Sequence, residues 1–292
     1  MTTPTPAQAN SEPAAPAPAA GNHGARGPRF LSRHPEASAA VLLVGLTWLT
    51  HFGALLIGWP PESALLFEIV LFIAVPLTVA GLTGGRSGIR RLGSGLVRWR
   101  IGLGTWLLVL LALPLLTVAV ALTTGTYQPP EQGWAAEAGS YVLQGLLLLG
   151  LTGNLPEEMA WGGFVQSGLM SRHGYLVGSL LTAIPFALIH LPLAFDERGL
   201  ANVHWDEIAL TWAVLIAVAP IMRLLIGSVL LGTAGSVLAI GLLHASFNAA
   251  GRLSVLGGGW WQNIVALTLL TVAVIAVRHR KGVRTAAHPS IL

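Results

Sequence analysis

The chain has 292 residues, of which 53% are hydrophobic and only 10% are Asp, Glu, Lys or Arg. Because soluble domains carry about a quarter charged residues, this composition excludes a soluble globular domain, a disordered chain and a coiled coil. The absence of cysteine excludes disulfides, thiolate metal ligands and a cysteine nucleophile. The net charge of +4 comes from arginines between apolar runs, which is typical of cytoplasmic membrane flanks and does not indicate nucleic-acid binding.

Apolar segments of about the length that a bilayer requires recur along the chain, and they predict an all-α, polytopic membrane bundle of about eight transmembrane helices. They cover residues 38–58, 64–82, 102–122, 140–171, 175–194, 208–231, 236–256 and 260–277. The fourth segment is too long for a straight span and contains Gly153 and Pro156. We therefore expect a tilted or broken helix there.

The remaining segments and the charges between spans predict the domain organisation and the orientation. Residues 1–37 are rich in Pro, Ala and Thr and are predicted to be a disordered cytoplasmic tail. Residues 38–278 form the transmembrane domain, with a catalytic core at 140–250, and residues 279–292 form a basic cytoplasmic tail. Arginines flank both termini and the second connection, while acidic residues lie mostly in the opposite connections, so the positive-inside rule predicts cytoplasmic termini.

Charged residues within apolar spans are costly and usually face a cavity or a partner. Glu157 and Glu158 are adjacent carboxylates that cannot both ionise cheaply in an apolar helix unless a cation is near. Such a pair suits a general base that shuttles a proton, although acidic residues are also favoured in the first turn of a helix after Pro156. Further out, His51 and Glu68 in the first two spans are expected to pair with each other.

Two further pairs have the four-residue spacing that places side chains on one helix face. Phe186 and His190 form one pair, and His244 and Asn248 form the other. A histidine in an apolar helix is commonly a satisfied core residue, and the second pair could equally be an interhelical hydrogen-bonding pair. Carboxylate, imidazole and amide groups at similar depth are, however, the parts that activate water and hold an oxyanion.

These motifs resemble those of the CAAX-protease and bacteriocin-processing family of intramembrane endopeptidases. The family patterns Glu-Glu-x-x-x-Arg, Phe-x-x-x-His and His-x-x-x-Asn correspond here to Glu157-Glu158, Phe186 to His190 and His244 to Asn248, in that order. The resemblance covers about residues 140–250. It implies that Glu157 activates the attacking water with help from His190, that Glu158 is a supporting acid, and that His244 and Asn248 stabilise the oxyanion.

One position departs from the family pattern, because Gly162 stands where the first motif has arginine. Arg223 lies inside the sixth span, and we hypothesise that it pairs with Glu158 or Glu157; the alternative is that it extends to the membrane interface. The missing arginine also raises the prospect of an inactive family member.

The resemblance implies an intramembrane endopeptidase that cleaves a membrane-associated or lipidated protein or peptide through a cavity open to the cytoplasm. A metal-free glutamate mechanism is favoured, while zinc held by Glu157, His190 and His244 stays open. The alternatives are a non-catalytic bacteriocin self-immunity factor or scaffold, and a proton-coupled transporter, which the absence of repeats disfavours. Membrane lipids and a polypeptide substrate are the expected partners, with no nucleic acid, and a bacterial plasma membrane is the expected location.

Overall fold

A computed structural model describes residues 29–196 and 203–280, and every secondary-structure element in these ranges is helical. The α-helices in chain order are α1 Arg29–Arg33, α2 Pro35–Ile57, α3 Pro61–Leu96, α4 Leu103–Leu107, α5 Leu113–Thr123, α6 Gly133–Ser140, α7 Leu155–Glu158, α8 Ser167–Ile189, α9 Leu193–Asp196, α10 Trp205–Gly232, α11 Val237–Ala250 and α12 Trp261–Arg280. Three π-helical stretches, Leu108–Ala112, Tyr141–Asn154 and Met159–Gln166, join consecutive α-helices.

The predicted class, a polytopic helical membrane protein, is confirmed. Within the described ranges, six helices are long and apolar enough to cross a membrane: Pro35–Ile57, Glu62–Leu96, Leu103–Thr123, Tyr175–Phe195, Trp205–Gly232 and Trp261–Arg280. They coincide with all the predicted spans except the fourth and the seventh. The seventh corresponds to α11, which has only 14 residues, and the fourth is divided by changes of helical winding.

The fourth predicted span belongs to a continuous helical path from α6 to α8 that alternates between α and π winding. The amide of Leu155 donates to the carbonyl of Gly150, five residues back, which is the π spacing. The expected irregularity is therefore confirmed, and the sharpest change lies further along, at Gly174, where φ is 78° and ψ is 170°. Because the winding changes on both sides of α7, Glu157 and Glu158 occupy a short, distinct turn.

The predicted boundary of the N-terminal tail at residue 37 is wrong at its last residues. Arg29–Arg33 are helical, and α2 already begins at Pro35, which is well suited to a first helical turn. The apolar segment of the sequence begins only at residue 38, so hydropathy did not indicate the helical turns that precede it. The rest of the tail, residues 1–28, lies outside the described residues, as do residues 281–292 of the C-terminal tail.

Two apolar cores meet at the middle of the bundle. One is built from α2, α3, the π-helical stretch Met159–Gln166 and α8, with Leu43, Phe72 and Trp161 among its buried side chains. The other joins α10, α11 and α12 to the helix pair around Leu108–Ala112. Large apolar side chains also cover the outside of the bundle, as a lipid-facing surface requires.

Glycines in the π-helical stretch Tyr141–Asn154 let α11 pack closely against that stretch. A Cβ on Gly145 would lie 2.5 Å from the Cβ of Ala249, and a Cβ on Gly150 would lie 2.9 Å from that of Ala245. Larger residues at either position would push α11 away. This close packing brings His244 on α11 next to the carboxylates on α7.

Candidate active site

Three separate helices bring the predicted site residues together. The Nε2 atom of His190, at the end of α8, lies 3.4 Å from Oε1 of Glu157, and Nδ1 of His244 on α11 lies 3.6 Å from Oε2. Asn248 follows His244 by one helical turn and lines the same cavity. The structure thus brings the three motif regions to one place, although they are spread over about ninety residues of sequence.

Glu158 lies behind this group and is completely buried. Its Oε1 accepts a hydrogen bond from Nδ1 of His244 at 2.8 Å, and its two oxygens accept hydrogen bonds from the guanidinium of Arg223, with Nη1 at 3.0 Å from Oε2. The hypothesised pairing of Arg223 with a motif carboxylate is therefore confirmed, and the interface alternative is wrong. Such a bidentate pair offsets the cost of burying both charges.

The ring of Phe186 covers the other side of the Arg223 guanidinium, whose Cζ lies 3.9 Å from the ring centroid. This contact adds a cation–π attraction in a place without solvent. The same ring lies 4.8 Å from that of His190 and 6.0 Å from that of His244. Phe186 therefore packs against the cation and both imidazoles of the site.

Gly162 has no room for a side chain. A Cβ there would lie 2.2 Å from Cδ1 of Ile240 and 2.7 Å from Oε2 of Glu158. The guanidinium beside Glu158 therefore comes from α10, through Arg223, and not from position 162 of the same helix. Although this chain lacks the arginine of the first motif, Glu158 still has a guanidinium beside it, and that guanidinium belongs to Arg223.

Glu157 has a more open environment than Glu158. Its Oε2 accepts a hydrogen bond from Nδ2 of Asn154 at 3.5 Å. Its Oε1 is buried and has no hydrogen-bond partner among the described residues. The carboxylate lines a cavity, so this oxygen is placed to accept a proton from a molecule that enters there.

The orientation of His190 is set by the backbone. Its Nδ1 lies 2.7 Å from the carbonyl oxygen of Phe186, and because a carbonyl only accepts hydrogen bonds, Nδ1 carries the proton. The Nε2 atom is left to face Oε1 of Glu157. The four-residue spacing of Phe186 and His190 thus has two uses, since the ring packs against the imidazole and the carbonyl orients it.

The cavity in front of Glu157 has a volume of about 610 Å³. Its walls combine polar side chains with the apolar side chains of Leu65, Ile69, Phe72 and Leu149. It extends to Glu137 and Arg252, at the end of the bundle away from the start of α2 and the end of α12. The expectations of a cytoplasmic opening and of cytoplasmic termini are therefore incompatible in this fold.

Two residues of the cavity were not predicted as site residues. Glu68 lines the wall opposite Glu157, and its Oε2 lies 3.3 Å from Nε2 of His51, which confirms that these residues pair. Asn154, which contacts Glu157, was noted only as a mildly polar residue. The available signal was the presence of a charge or an amide in an apolar span, but sequence does not reveal which helix faces which.

A zinc ion held by Glu157, His190 and His244 does not fit this arrangement. Nε2 of His190 faces Glu157, but the nitrogen of His244 that lies 3.6 Å from Glu157 is Nδ1, and this atom already contacts Oε1 of Glu158 at 2.8 Å. In the described part of the chain, no group of three or more His, Cys, Asp or Glu side chains is arranged to hold a metal ion.

Residues 139–250 match the family model described as Type II CAAX prenyl endopeptidase Rce1-like. The chain therefore contains an Rce1-like domain. No curated protein matches the chain. The domain's family consists of endopeptidases, which confirms the resemblance drawn from the three motifs over residues 139–250.

The Rce1-like domain contains every residue of the cluster around the two glutamates. Glu157, Glu158, His190, Arg223 and His244 all lie within the matched range, as do Phe186 and Asn248. His51 on α2 and Glu68 on α3 precede the Rce1-like domain in the chain. The cavity is therefore completed by a part of the chain that the family model does not cover.

Proposed function

We propose that the protein is an intramembrane endopeptidase in which Glu157 activates the water that attacks the peptide bond. The observation that carries this proposal is the unpartnered Oε1 of Glu157, which faces a cavity of about 610 Å³ beside Nε2 of His190. The carboxylate oxygen of Glu157 and Nε2 of His190 are 3.4 Å apart, so both atoms could contact one water molecule in the cavity. Its substrate is a membrane-associated or lipidated polypeptide.

In the proposed reaction, Glu157 accepts a proton from the water while the water oxygen forms a bond to the carbonyl carbon of the substrate. The carbonyl oxygen becomes an oxyanion, which the side-chain amide of Asn248 and the second N–H of a protonated His244 stabilise. The carbonyl then re-forms, the carbon–nitrogen bond breaks, and the proton on Glu157 passes to the leaving amine. Every proton taken from the water is thereby returned to a product.

The contacts of Glu158 support the protonated state of His244. Nδ1 of His244 donates to Oε1 of Glu158, and Arg223 neutralises that carboxylate on its other side. With Glu157 and Glu158 ionised, Arg223 and one imidazolium balance the charge of the group. We therefore assign Glu158 and Arg223 as positioning residues, which act on the reaction through His244.

The non-catalytic alternative, an immunity factor or scaffold, drew its support from the missing arginine at position 162. That support is offset because Arg223 supplies a guanidinium to Glu158 from α10. The burial of Glu157 beside two histidines also argues against a scaffold, since a buried carboxylate without a chemical role is costly to the fold.

A peptidase assay on purified protein in liposomes tests the proposal. Wild type, Glu157→Gln, His244→Ala and the control Glu62→Gln are incubated with a peptide mixture from a proteome, and new termini are identified by mass spectrometry. We expect Glu157→Gln to lower the rate at least about 10²-fold, because a general base contributes this much. Glu62 is exposed at the start of α3, so the same substitution there should leave cleavage unchanged.

The same assay with a chelator separates the two mechanisms. Cleavage that persists with chelator supports the metal-free reaction, whereas loss that zinc restores would contradict it. Folded wild-type protein that is no more active than Glu157→Gln on any peptide would favour the non-catalytic alternative.

A further inference from the structure

The two ends of the bundle differ sharply in charge. We call the end that holds the start of α2, the connections near residues 84–102 and 172–174, and the end of α12 the basic end; the other we call the acidic end. Among the residues that the structure describes, ten basic residues lie at the basic end: Arg29, Arg33, Arg86, Arg90, Arg91, Arg98, Arg100, Arg172, Arg278 and Arg280. In the same described ranges, the acidic end has one basic residue, Arg252, and six acidic residues: Glu62, Glu131, Glu137, Asp196, Asp206 and Glu207.

The catalytic cavity belongs to the acidic end. Its lining includes Glu137 and Ser140 from α6, Leu193 from α9, and Arg252 just after α11. His190 caps the acidic end of α8, and Glu68 lies seven residues from the start of α3, which is about 10 Å at the usual helical rise. Glu157 itself lies between the two ends, twenty-four residues after the start of α6 at Gly133 and fifteen residues before Arg172.

The charge difference orients the molecule. Basic residues in short connections stay on the cytoplasmic side of a membrane, whereas acidic residues have little influence. In the described ranges, ten basic residues at the basic end stand against one at the acidic end, and they are distributed over the start of α2, the end of α12 and two connections. The acidic end, and the mouth of the cavity with it, then lies away from the cytoplasm.

We propose that the active-site cavity opens on the non-cytoplasmic face of the membrane. Its substrates are then polypeptides that present an unfolded segment on that face, beside a lipid or transmembrane anchor. The assignment of substrates rests on the proposed peptidase function, whereas the direction of the opening does not.

The walls of the cavity fit an anchored substrate. Leu65, Ile69 and Phe72 of α3 and Leu149 of the π-helical stretch form an apolar part of the lining, and Leu65 and Leu149 are also exposed at the outside of the bundle. A polypeptide can therefore reach the cavity while its anchor stays in lipid.

The absence of native cysteine makes the orientation directly measurable. Single cysteines are introduced as Ser140→Cys at the cavity mouth, Glu131→Cys in the preceding connection and Ser94→Cys at the basic end, all exposed positions. Cells that express the full-length variants are treated with a membrane-impermeant maleimide before or after permeabilisation. The labelled fraction of each variant is then compared between the two conditions.

We expect Ser140→Cys and Glu131→Cys to be labelled in intact cells, and Ser94→Cys only after permeabilisation. The reverse pattern would overturn the proposal, as would equal labelling of both ends. Labelling of Glu131→Cys but not of Ser140→Cys in intact cells would also overturn it, because the mouth would then be closed from that face.

The substrate assignment has its own test in the same cells. New protein termini in the membrane fraction are compared between cells with wild type and cells with Glu157→Gln. We expect termini that depend on wild type to map to non-cytoplasmic segments next to membrane anchors, and termini in cytoplasmic segments would overturn the assignment. If no termini differ although the labelling is as expected, the proposed peptidase function fails and the orientation stands.

Discussion

The two sides of the active site differ in how fully their charges are satisfied. On the closed side, Glu158 and Arg223 are completely buried, and the carboxylate accepts hydrogen bonds from Arg223 and His244. On the open side, Glu157 faces the cavity, and its Oε1 has no hydrogen-bond partner in the described part of the protein and only the longer contact to Nε2 of His190. The two glutamates are adjacent in sequence but differ in their proposed roles. Glu158 stabilises the closed side and positions His244, whereas Glu157 is the proposed general base.

This difference shows how a bundle can keep a reactive carboxylate inside a membrane. A charge on the closed side is balanced by fixed partners, so it need not move or exchange protons. The open side depends on these fixed partners, because His244 contacts both glutamates. The contact with Glu158 therefore also fixes the position of His244 relative to Glu157.

The largest effect is expected from Arg223→Met, which leaves Glu158 buried without its cation. Breaking a buried pair by removing one partner costs about 3–5 kcal/mol of folding free energy. We expect a large fall in the unfolding temperature in detergent, together with loss of any cleavage. Arg90→Met, at an exposed position, is the control and should unfold like wild type.

A double variant sharpens this prediction. Glu158→Gln in the Arg223→Met background removes the uncompensated charge, so part of the lost stability should return. If Arg223→Met unfolds at the wild-type temperature, the closed side does not depend on this ion pair.

A smaller loss is expected from Gly162→Ala, which tests whether the closed side has space to spare. The added Cβ would lie 2.2 Å from Cδ1 of Ile240, and overpacking of this kind costs about 1–3 kcal/mol. Ile240→Val removes the clashing methyl group and should restore part of the stability. The control is Gly153→Ala, whose Cβ meets nothing within 4 Å.

Because alanine is favoured over glycine in a helix by about 0.5–1 kcal/mol, Gly153→Ala should be neutral or stabilising. Thermal unfolding of the three variants provides the comparison. Equal behaviour of Gly162→Ala and Gly153→Ala would contradict close packing around Glu158.

The smallest change in stability is expected from Asn154→Ala on the open side. It removes one hydrogen bond to Glu157, of 3.5 Å, and the net contribution of such a bond is about 1 kcal/mol or less. The unfolding temperature should change little, while cleavage slows because Glu157 loses the contact that holds its Oε2. Asn154→Asp, which places a second negative charge there, should slow cleavage further; an unchanged rate in both variants would show that Asn154 does not position Glu157.

Much of the fold could be predicted from the sequence, since hydropathy alone indicated most of the helices in their order. The start of α2 was placed too late, because Pro35 and Glu36 carry a helix-start signal that hydropathy does not record. The seventh span proved to be short and the fourth divided, since the winding of a helix depends on its neighbours as well as on its own composition.

For the site, the local spacings predicted which side chains share a helix face, as in Phe186 and His190. The pairing of Arg223 with either Glu158 or Glu157 was predicted from chemistry, because each charge needed a partner in an apolar interior. The hydrogen bond from His244 to Glu158 and the facing of Glu68 into the cavity were not predicted, since both depend on the relative rotation of separate helices.

By itself, the sequence determined the class of the protein, the order of the three motifs and the end of the bundle that carries the positive charge. These are properties of composition and of positions near one another along the chain. Only the tertiary structure decided that the carboxylate that Arg223 contacts is that of Glu158, that Oε1 of Glu157 has no hydrogen-bond partner in the described residues, and that the cavity lining reaches the acidic end. Periodicity reports the face of one helix, whereas these contacts follow from how close packing aligns several helices with one another.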